Sequence, residues 1–496
     1  MEFISGEGRH QTIMLPDRVD DYVDGNNAVR VIEAYINSLN LFELGFAKTE
    51  PAETGRPMYD PKDILKLYVY GYMNRIRSSR RLEAESKRNL EVIWLIGKLS
   101  PDHKTIARFR HDNSKALKNV FRDFVKLCVR LGLYGKELLA VDGSKFKAVN
   151  SRKRNFTEKQ IQDKITKITE KIDEYMKTLD SNDAAEDSGG REKTKDEITQ
   201  IIKDLREHKE RYQGYADDLE KTGEKQKSQT DADSRLMTTN SQKMDVCYNI
   251  QTAVDAKNKL IVEFEVSNQG NDKNFITPMA NISQELLETE QITVVADAGY
   301  ESIGDIIDAR NRGVDVHVAG TDFDICVPAK EGEQTEIHTH KDGRCVYIAE
   351  RNIALCPMGN ILYPAFYRKQ KKIKGGDGVF YNYEACQQCT CKCTKDARGR
   401  FRYMAPMVRE SFSKTYNDKD LLVKQVRIKP DKEIIKQRKC IVEHPFGTIK
   451  RSMDSGYCLT KGIKNVTGEF SLTFLAYNIK RVINILGIGR LIESIA

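Results

Sequence analysis

Long apolar runs are missing from this chain: no stretch of its 496 residues is apolar for long enough to span a bilayer, and none follows the opening Met1–Ser5. Neither a membrane anchor nor an export signal is therefore expected, and a soluble intracellular protein is the plain reading. That absence decides how the eleven cysteines are read. Disulfides need an oxidising compartment, so free thiols or metal ligands are expected instead. Turn residues are scarce from Thr157 to about Lys225, outside Asp180–Gly190, which leaves long helices there. Excess charge of one sign is small. The 81 Lys and Arg against 73 Asp and Glu leave +8, a lean towards a polyanionic partner. At this length two to four domains are expected rather than one core.

What is present begins with two aspartates. Residues 291–300 read QITVVADAGY, a β-branched run that ends abruptly in Asp297 and a glycine. Residues 138–143, LLAVDG, repeat the form and put Asp142 at another such strand. Strands of this kind deliver the acid to a sheet edge, where ligands bind. Two carboxylates brought together repel one another unless a hard cation neutralises them, so a metal site is expected between them, completed by a third acid.

Residues 1 to about 135 read as helical. Asp60 and Pro61 form the N-cap and first turn of one helix, and Ser100–Asp102 starts another that carries Lys104, Arg108, Arg110 and His111 around Ile106 and Phe109. Short capped helices with a basic face resemble a helix-turn-helix arrangement, with Lys104, Arg108 and Arg110 as phosphate contacts. A solvated basic face on a structural helix explains the same residues. Further on, Ile161, Ile165, Ile168, Ile172, Met176 and Leu179 recur at spacings of three and four, and Ile198, Ile202, Leu205, Tyr212, Ala216 and Leu219 return. An antiparallel helical hairpin inserted into a sheet is expected, serving as a scaffold arm or as a contact for a partner subunit or DNA. Strands are then expected at 246–254 and 260–266, a helix at 274–287, a strand at 292–296, a helix at 302–312 and a strand at 314–319. The resulting order is β-(helical insert)-β-β-α-β-α-β.

Five cysteines crowd between Cys356 and Cys393. Residues 356–359, CPMG, read as a knuckle-like turn, and Cys386 with Cys389 forms a Cys-x-x-Cys pair. Four thiolates suit a structural zinc ion that staples a segment with few core residues; free thiols in a loop are the alternative. Cys391 and Cys393 compete for the fourth position. Basic runs at 368–374 and 424–429 flank this segment, either tracking phosphates or keeping a loop soluble.

A third acid appears in residues 438–451, RKCIVEHPFGTIKR. Glu443 and Lys450 lie two helical turns apart and face the same way if the helix persists past Pro445. The element order resembles the RNase H-like fold of polynucleotidyl transferases, in which the first and fourth strands are neighbours. With Asp142, Asp297, Glu443 and Lys450 in place, the chain resembles the DDE-type transposases of bacterial insertion sequences. Arg235-Leu-Met, Tyr248-Asn-Ile-Gln, Asn271-Asp272, Asp297-Ala-Gly-Tyr300 and Glu443-His-Pro-Phe-Gly447 extend the resemblance over most of the chain. One departure concerns the signature with tyrosine and arginine ahead of the glutamate, where this chain has Lys436 and Lys439; Arg438 is a substitute for that phosphate contact.

The resemblance implies an α/β fold: an RNase H-like mixed-sheet catalytic core with an N-terminal helical, DNA-binding domain (1–135). The first catalytic strand falls in 136–155, a helical-hairpin insertion in 156–232, the core in 233–320, a Cys-rich insertion in 321–430 and C-terminal core helices in 431–496. It implies two Mg²⁺ or Mn²⁺ ions held by Asp142, Asp297 and Glu443, with Lys450 near the scissile phosphate and Arg438 and Lys439 against DNA. The spacing in similar sequences points to Cys393 beside Cys356, Cys386 and Cys389 as the zinc ligands. The expected partners are double-stranded DNA, as the element's terminal inverted repeats and as target, and a second copy of the chain in a synaptic complex. The expected location is the cytoplasm, on the nucleoid. Two rivals are an RNase H-like nuclease without strand transfer and a non-catalytic DNA-binding derivative; the presence of all three acids speaks against the second.

Overall fold

A computed structural model describes residues 18–50, 57–184, 195–239, 242–321 and 429–495, together with short strands between 323 and 428. The chain divides into two compact units, Met1–Val316 with Gln437–Ala496, and His317–Lys436.

The first unit opens with helices α1 (Ala28–Ser38), α2 (Pro61–Met73), α3 (Ser79–Arg88), α4 (Leu90–Leu95), α5 (His103–Asp112) and α6 (Ser114–Arg130). Their starts are written locally. Asp60 accepts a hydrogen bond from the Lys62 amide at 2.7 Å with Pro61 in the first turn, and Asp102 accepts from the Lys104 and Thr105 amides at 2.8 and 2.9 Å.

Next come β1 (Leu138–Lys147), β2 (Asn155–Thr157), α7 (Glu158–Ala184), α8 (Lys195–Thr222), β3 (Gln226–Ser228), β4 (Arg235–Thr238), β5 (Met244–Asp255) and β6 (Ile261–Ser267). Helix α9 (Ile276–Leu287), β7 (Ile292–Ala296), α10 (Ile303–Asn311) and β8 (Val314–Val318) follow. Helices α7 and α8 pack through two apolar clusters, Phe156, Ile161 and Leu219 at the base and Ile172, Ile198 and Ile202 further out. Strands β2 and β3 pair antiparallel beneath them. The main sheet runs β4–β5–β1–β7–β8, with β6 also paired to β5. Strand β5 is antiparallel to β1, and β7 is parallel to it.

Asp142 lies inside β1, which continues past it as far as Lys147. Its two halves have different partners: β7 accompanies β1 only as far as Ala140, but β5 continues alongside to Lys147.

In the second unit, β9 (Phe323–Pro328), β10 (Val346–Ile348), β11 (Ile353–Leu355), β12 (Ile361–Pro364), β13 (Val379–Tyr381), β14 (Arg402–Tyr403) and β15 (Val423–Ile428) are described. Strands β10 to β14 form one antiparallel sheet in chain order, and β15 pairs with β9. Cys356, Cys386, Cys389, Cys391 and Cys393 lie outside the described residues.

The chain closes with α11 (Lys432–Gly447), α12 (Ile463–Leu486) and α13 (Ile488–Ile495). Helix α12 is buried on nearly every side and is the spine of the first unit. Its Phe470 meets Phe146 of β1 edge-on at 4.7 Å, and its Phe474 meets Phe264 of β6 at 4.8 Å. At Gly468 a Cβ would stand 2.9 Å from Ser114 Cα, so the close approach of α12 to α6 requires glycine. Arg77, in the turn after α2, forms a buried ion pair with Glu469 of α12 at 3.3 Å. The N-terminal helices and the sheet therefore share one core. Among the described residues no helix is long and apolar enough to cross a membrane.

Candidate active site

Strand register brings two of the acids together. Leu138, Leu139 and Ala140 of β1 lie opposite Thr293, Val294 and Val295 of β7. Two residues beyond the last pair, Ala140 with Val295, each strand delivers an acid, Asp142 within β1 and Asp297 just past the end of β7. Val294, Val295 and Ala296 are fully buried, and the strand stops where Asp297 turns its carboxylate back to accept the Gly299 amide at 2.8 Å. Asp142 is the more enclosed of the two, its side chain 22% exposed against 40% for Asp297. Burial pushes the Asp142 carboxyl up to about 6; Arg438 opposes the shift, and repulsion from Asp297 and then Asp272 adds to it.

Arg438 projects from α11 between the two acids. Its Nη1 lies 3.4 Å from Asp142 Oδ1 and 3.9 Å from Asp297 Oδ2. One guanidinium shared by two carboxylates marks the place where this site calls for positive charge, and hard oxygen donors suit a divalent ion of the Mg²⁺ or Mn²⁺ kind. Among the described residues no three His, Cys, Asp or Glu side chains converge as a metal cluster. The pair of aspartates is what the fold assembles.

Helix α11 does persist past Pro445, to Gly447, and then loosens into a π-helical turn at Thr448–Ser452. Proline has no N–H to return to Ile441, and the wider turn takes more residues per rotation, so seven residues no longer amount to two full turns. Glu443 and Lys450 accordingly differ in surroundings. Glu443 and Lys439 are exposed on α11. Lys450 is drawn onto β1, where its Nζ donates to Ser144 Oγ at 2.6 Å and to the Lys145 carbonyl at 3.3 Å, and lies 4.5 Å over the Phe146 ring. Burial lowers its pKa.

Asp272, in the loop after β6, was not marked by the sequence beyond its place in a shared motif. Its Oδ1 accepts from Lys145 Nζ, Asn249 Nδ2 and Gln251 Nε2 at 2.9, 2.7 and 2.8 Å. Only the pairing of β1 with β5 brings these donors together.

On α5, Lys104 and Arg108 are exposed one turn apart. Arg110 turns inward, where Nη1 donates to the Tyr72 hydroxyl at 3.0 Å and the guanidinium stacks 5.6 Å from the Tyr68 ring centre. Two tyrosines of α2 thus hold the cation that the sequence assigned to DNA.

Residues 17–112 match a family described as a transposase domain (DUF772). Residues 355–483, which include Glu443 and Lys450, match a transposase DDE domain. A solved piggyBac transposase synaptic complex with hairpin DNA aligns over 95% of this chain and 78% of its own, at 8% identity and a TM-score of 0.26. No curated relative matches the chain. One transposase model thus falls on the capped N-terminal helices and another on the segment that lays Lys450 against β1, and together they indicate a DDE-type transposase of insertion-sequence type, a metal-dependent enzyme of DNA phosphoryl transfer.

Proposed function

We propose that this transposase binds the terminal inverted repeats of a bacterial insertion sequence, cuts the strands there and joins the freed 3′ ends to target DNA. The site is read as Asp142, Asp297, Glu443 and Lys450. The observation that carries this reading is that β1 and β7 pair in parallel up to Ala140 and Val295, two residues short of Asp142 and Asp297, and that one guanidinium, Arg438, reaches both carboxylates. Once the α7–α8 hairpin, the strands β2 and β3 at its base and the four-residue edge strand β4 are set aside, β1 and β7 are the first and fourth strands, and they are neighbours, as in an RNase H-like core. On that reading 156–232 and 321–430 are insertions into a core made of 136–155, 233–320 and 431–496, and 1–135 grips the ends.

Divalent ions, Mg²⁺ or Mn²⁺, supply Lewis acidity to an in-line displacement at phosphorus when bound. The chain's own residues do the rest. Asp142 and Asp297 hold the ions, with Glu443 as the third ligand. Arg438, no longer needed by the carboxylates, turns its guanidinium to a DNA phosphate, and the exposed Lys439 does the same. Two of the three N–H groups of Lys450 are taken by Ser144 and Lys145, which leaves one for a phosphate beside the scissile bond. Lys104 and Arg108 contact the end DNA, two copies of the chain pair two ends, and the work takes place on the nucleoid in the cytoplasm. Cys356, Cys386, Cys389 and Cys393 bind one zinc ion; fewer than about half an equivalent in protein purified without chelator would remove that site.

The deciding experiment incubates labelled cognate ends and a target plasmid with the protein in Mg²⁺. Cleavage confined to the ends, with joined product, is expected. Cleavage indifferent to the end sequence and without joining would make the protein a nuclease instead.

A further inference from the structure

A third aspartate, Asp272, lies against the glycine next to Asp142 and belongs to neither strand of the pair. Asp272 Oδ1 takes three donors: Lys145 Nζ from β1, and Asn249 Nδ2 and Gln251 Nε2 from β5. Lys145 also reaches Oδ2 at 3.2 Å. Gln251 accepts in turn from the hydroxyl of Tyr300, buried in the turn that follows Asp297. Three segments of backbone, two of which carry the paired acids, are thus tied to one carboxylate.

The glycines beside the acids point to its role. A Cβ on Gly143, next to Asp142, would stand 2.7 Å from Asp272 Oδ1 and run into Gln251 Nε2. A Cβ on Gly299, two residues past Asp297, would press on Asp297 Oδ1 at 2.9 Å and lie in ordinary contact, 3.6 Å, with Asp272 Oδ2. Neither glycine has a positive φ, so room and not backbone conformation is the reason for each. Glycine inside a strand weakens it and marks a close approach by another group. At Gly143 that group is the Asp272 carboxylate with its donors.

We propose that Asp272 is a positioning residue: seated between Gly143 and Gly299, it fixes the backbones that carry Asp142 and Asp297, and so the separation of the two carboxylates that hold the metal. Lys145, whose side chain is only 9% exposed, neutralises the Asp272 charge so that it adds little repulsion of its own. Asp272 is not itself a ligand, because three donors fill Oδ1 and Lys145 covers Oδ2. The inference rests on the reading of the acid pair as the metal site.

The test is Mn²⁺ binding to the full-length protein, followed by electron paramagnetic resonance, with end binding followed by gel shift. Asp142→Asn should weaken Mn²⁺ binding at least tenfold. Asp272→Ala should weaken it about 10- to 100-fold, the range for groups that orient metal ligands, and leave end binding within about twofold. Asp272→Asn keeps an oxygen for the three donors and should stay within about threefold of wild type. Wild-type affinity in Asp272→Ala, with Asp142→Asn impaired, would sink the inference and leave the metal site standing. Wild-type affinity in Asp142→Asn would sink the site itself. An Asp272→Asn as impaired as Asp272→Ala would make the charge the requirement and overturn a positioning role. If Asp272→Ala does not fold, Gly143→Ala decides: its methyl presses on Asp272, and unchanged Mn²⁺ affinity in that folded variant would count against the proposal.

Discussion

Arg438 and Asp142 come from distant parts of the chain and stand 3.4 Å apart, guanidinium to carboxylate, with Asp297 at 3.9 Å on the other side. On the proposed reading of this pair as a metal site, an arginine at the centre is a competitor, because the guanidinium and a metal ion cannot sit between the same oxygens. Two opposite effects follow from removing it. Arg438→Ala leaves the carboxylates without a counter-charge and should lower the stability of the metal-free protein by about 1–3 kcal/mol. It should also raise Mn²⁺ affinity several-fold. Melting curves with and without Mn²⁺ read both effects, and a variant with unaltered melting in the two conditions would mean that the contact carries no energy.

The raised pKa of Asp142 makes stability depend on pH. A carboxyl whose pKa rises on folding, here from 3.8 to about 6, binds its proton more tightly in the folded state. Below about pH 4 both states are protonated and no penalty exists. Between about pH 4 and 6 the unfolded chain ionises first, so stability falls as pH rises, and above about pH 6 the penalty is complete. Its ceiling is about 3 kcal/mol, reduced by the solvent that still reaches the side chain. Asp142→Asn should therefore raise the urea midpoint of the metal-free protein near pH 7.5 and leave it unchanged near pH 3.5. A gain of equal size at both would show that ionisation is not the cause.

The three basic residues of α5 should separate in a salt titration of end binding. Lys104→Ala with Arg108→Ala removes two exposed cations, so the slope of log affinity against log salt should flatten by about two contacts' worth. Arg110→Ala should leave the slope alone and cost stability, because it strips the Tyr72 hydroxyl and the Tyr68 ring of their partner. The reverse pattern, with Arg110 moving the slope, would require the helix to turn over on DNA.

Local chemistry was legible in the sequence, and long-range chemistry was not. The caps at Asp60 and Asp102 and the strand Ile292–Ala296 rest on contacts within a few residues or on the composition of a single run. The neighbouring of β1 and β7 follows from the order of elements. The inward turn of Arg110 depends on tyrosines of another helix, and the donors around Asp272 on a strand pairing that no local pattern records. The run of β1 past Asp142 was legible in residues 144–149, but not that β5 alone accompanies it there. Where Pro445 gives way to a π-turn, the sequence supplied the proline but not the geometry that answers it.

On the proposed reading Glu443 is the third ligand, yet it does not share a face with Arg438. It lies five positions further along α11, and at about 100° per residue that places the two roughly 140° apart around the helix axis. While Arg438 faces Asp142 and Asp297, Glu443 faces solvent. A third ligand at this position therefore requires α11 to turn about its axis when metal and DNA bind, carrying Arg438 off the carboxylates as Glu443 arrives. The π-turn at Thr448–Ser452 is where such a rotation is most easily absorbed, since single π-turns recur at functional sites. Glu443→Gln should then abolish Mg²⁺-dependent nicking of labelled ends while end binding is retained. Metal-free stability should change by less than about 0.5 kcal/mol, because the exposed side chain has no burial to lose. Asp142→Asn and Asp297→Asn should abolish nicking as well, but Asp142→Asn alone should stabilise the metal-free protein. If Glu443→Gln nicks at close to the wild-type rate, α11 need not turn and the third acid lies elsewhere, with Glu433 and Asp454 next to be replaced.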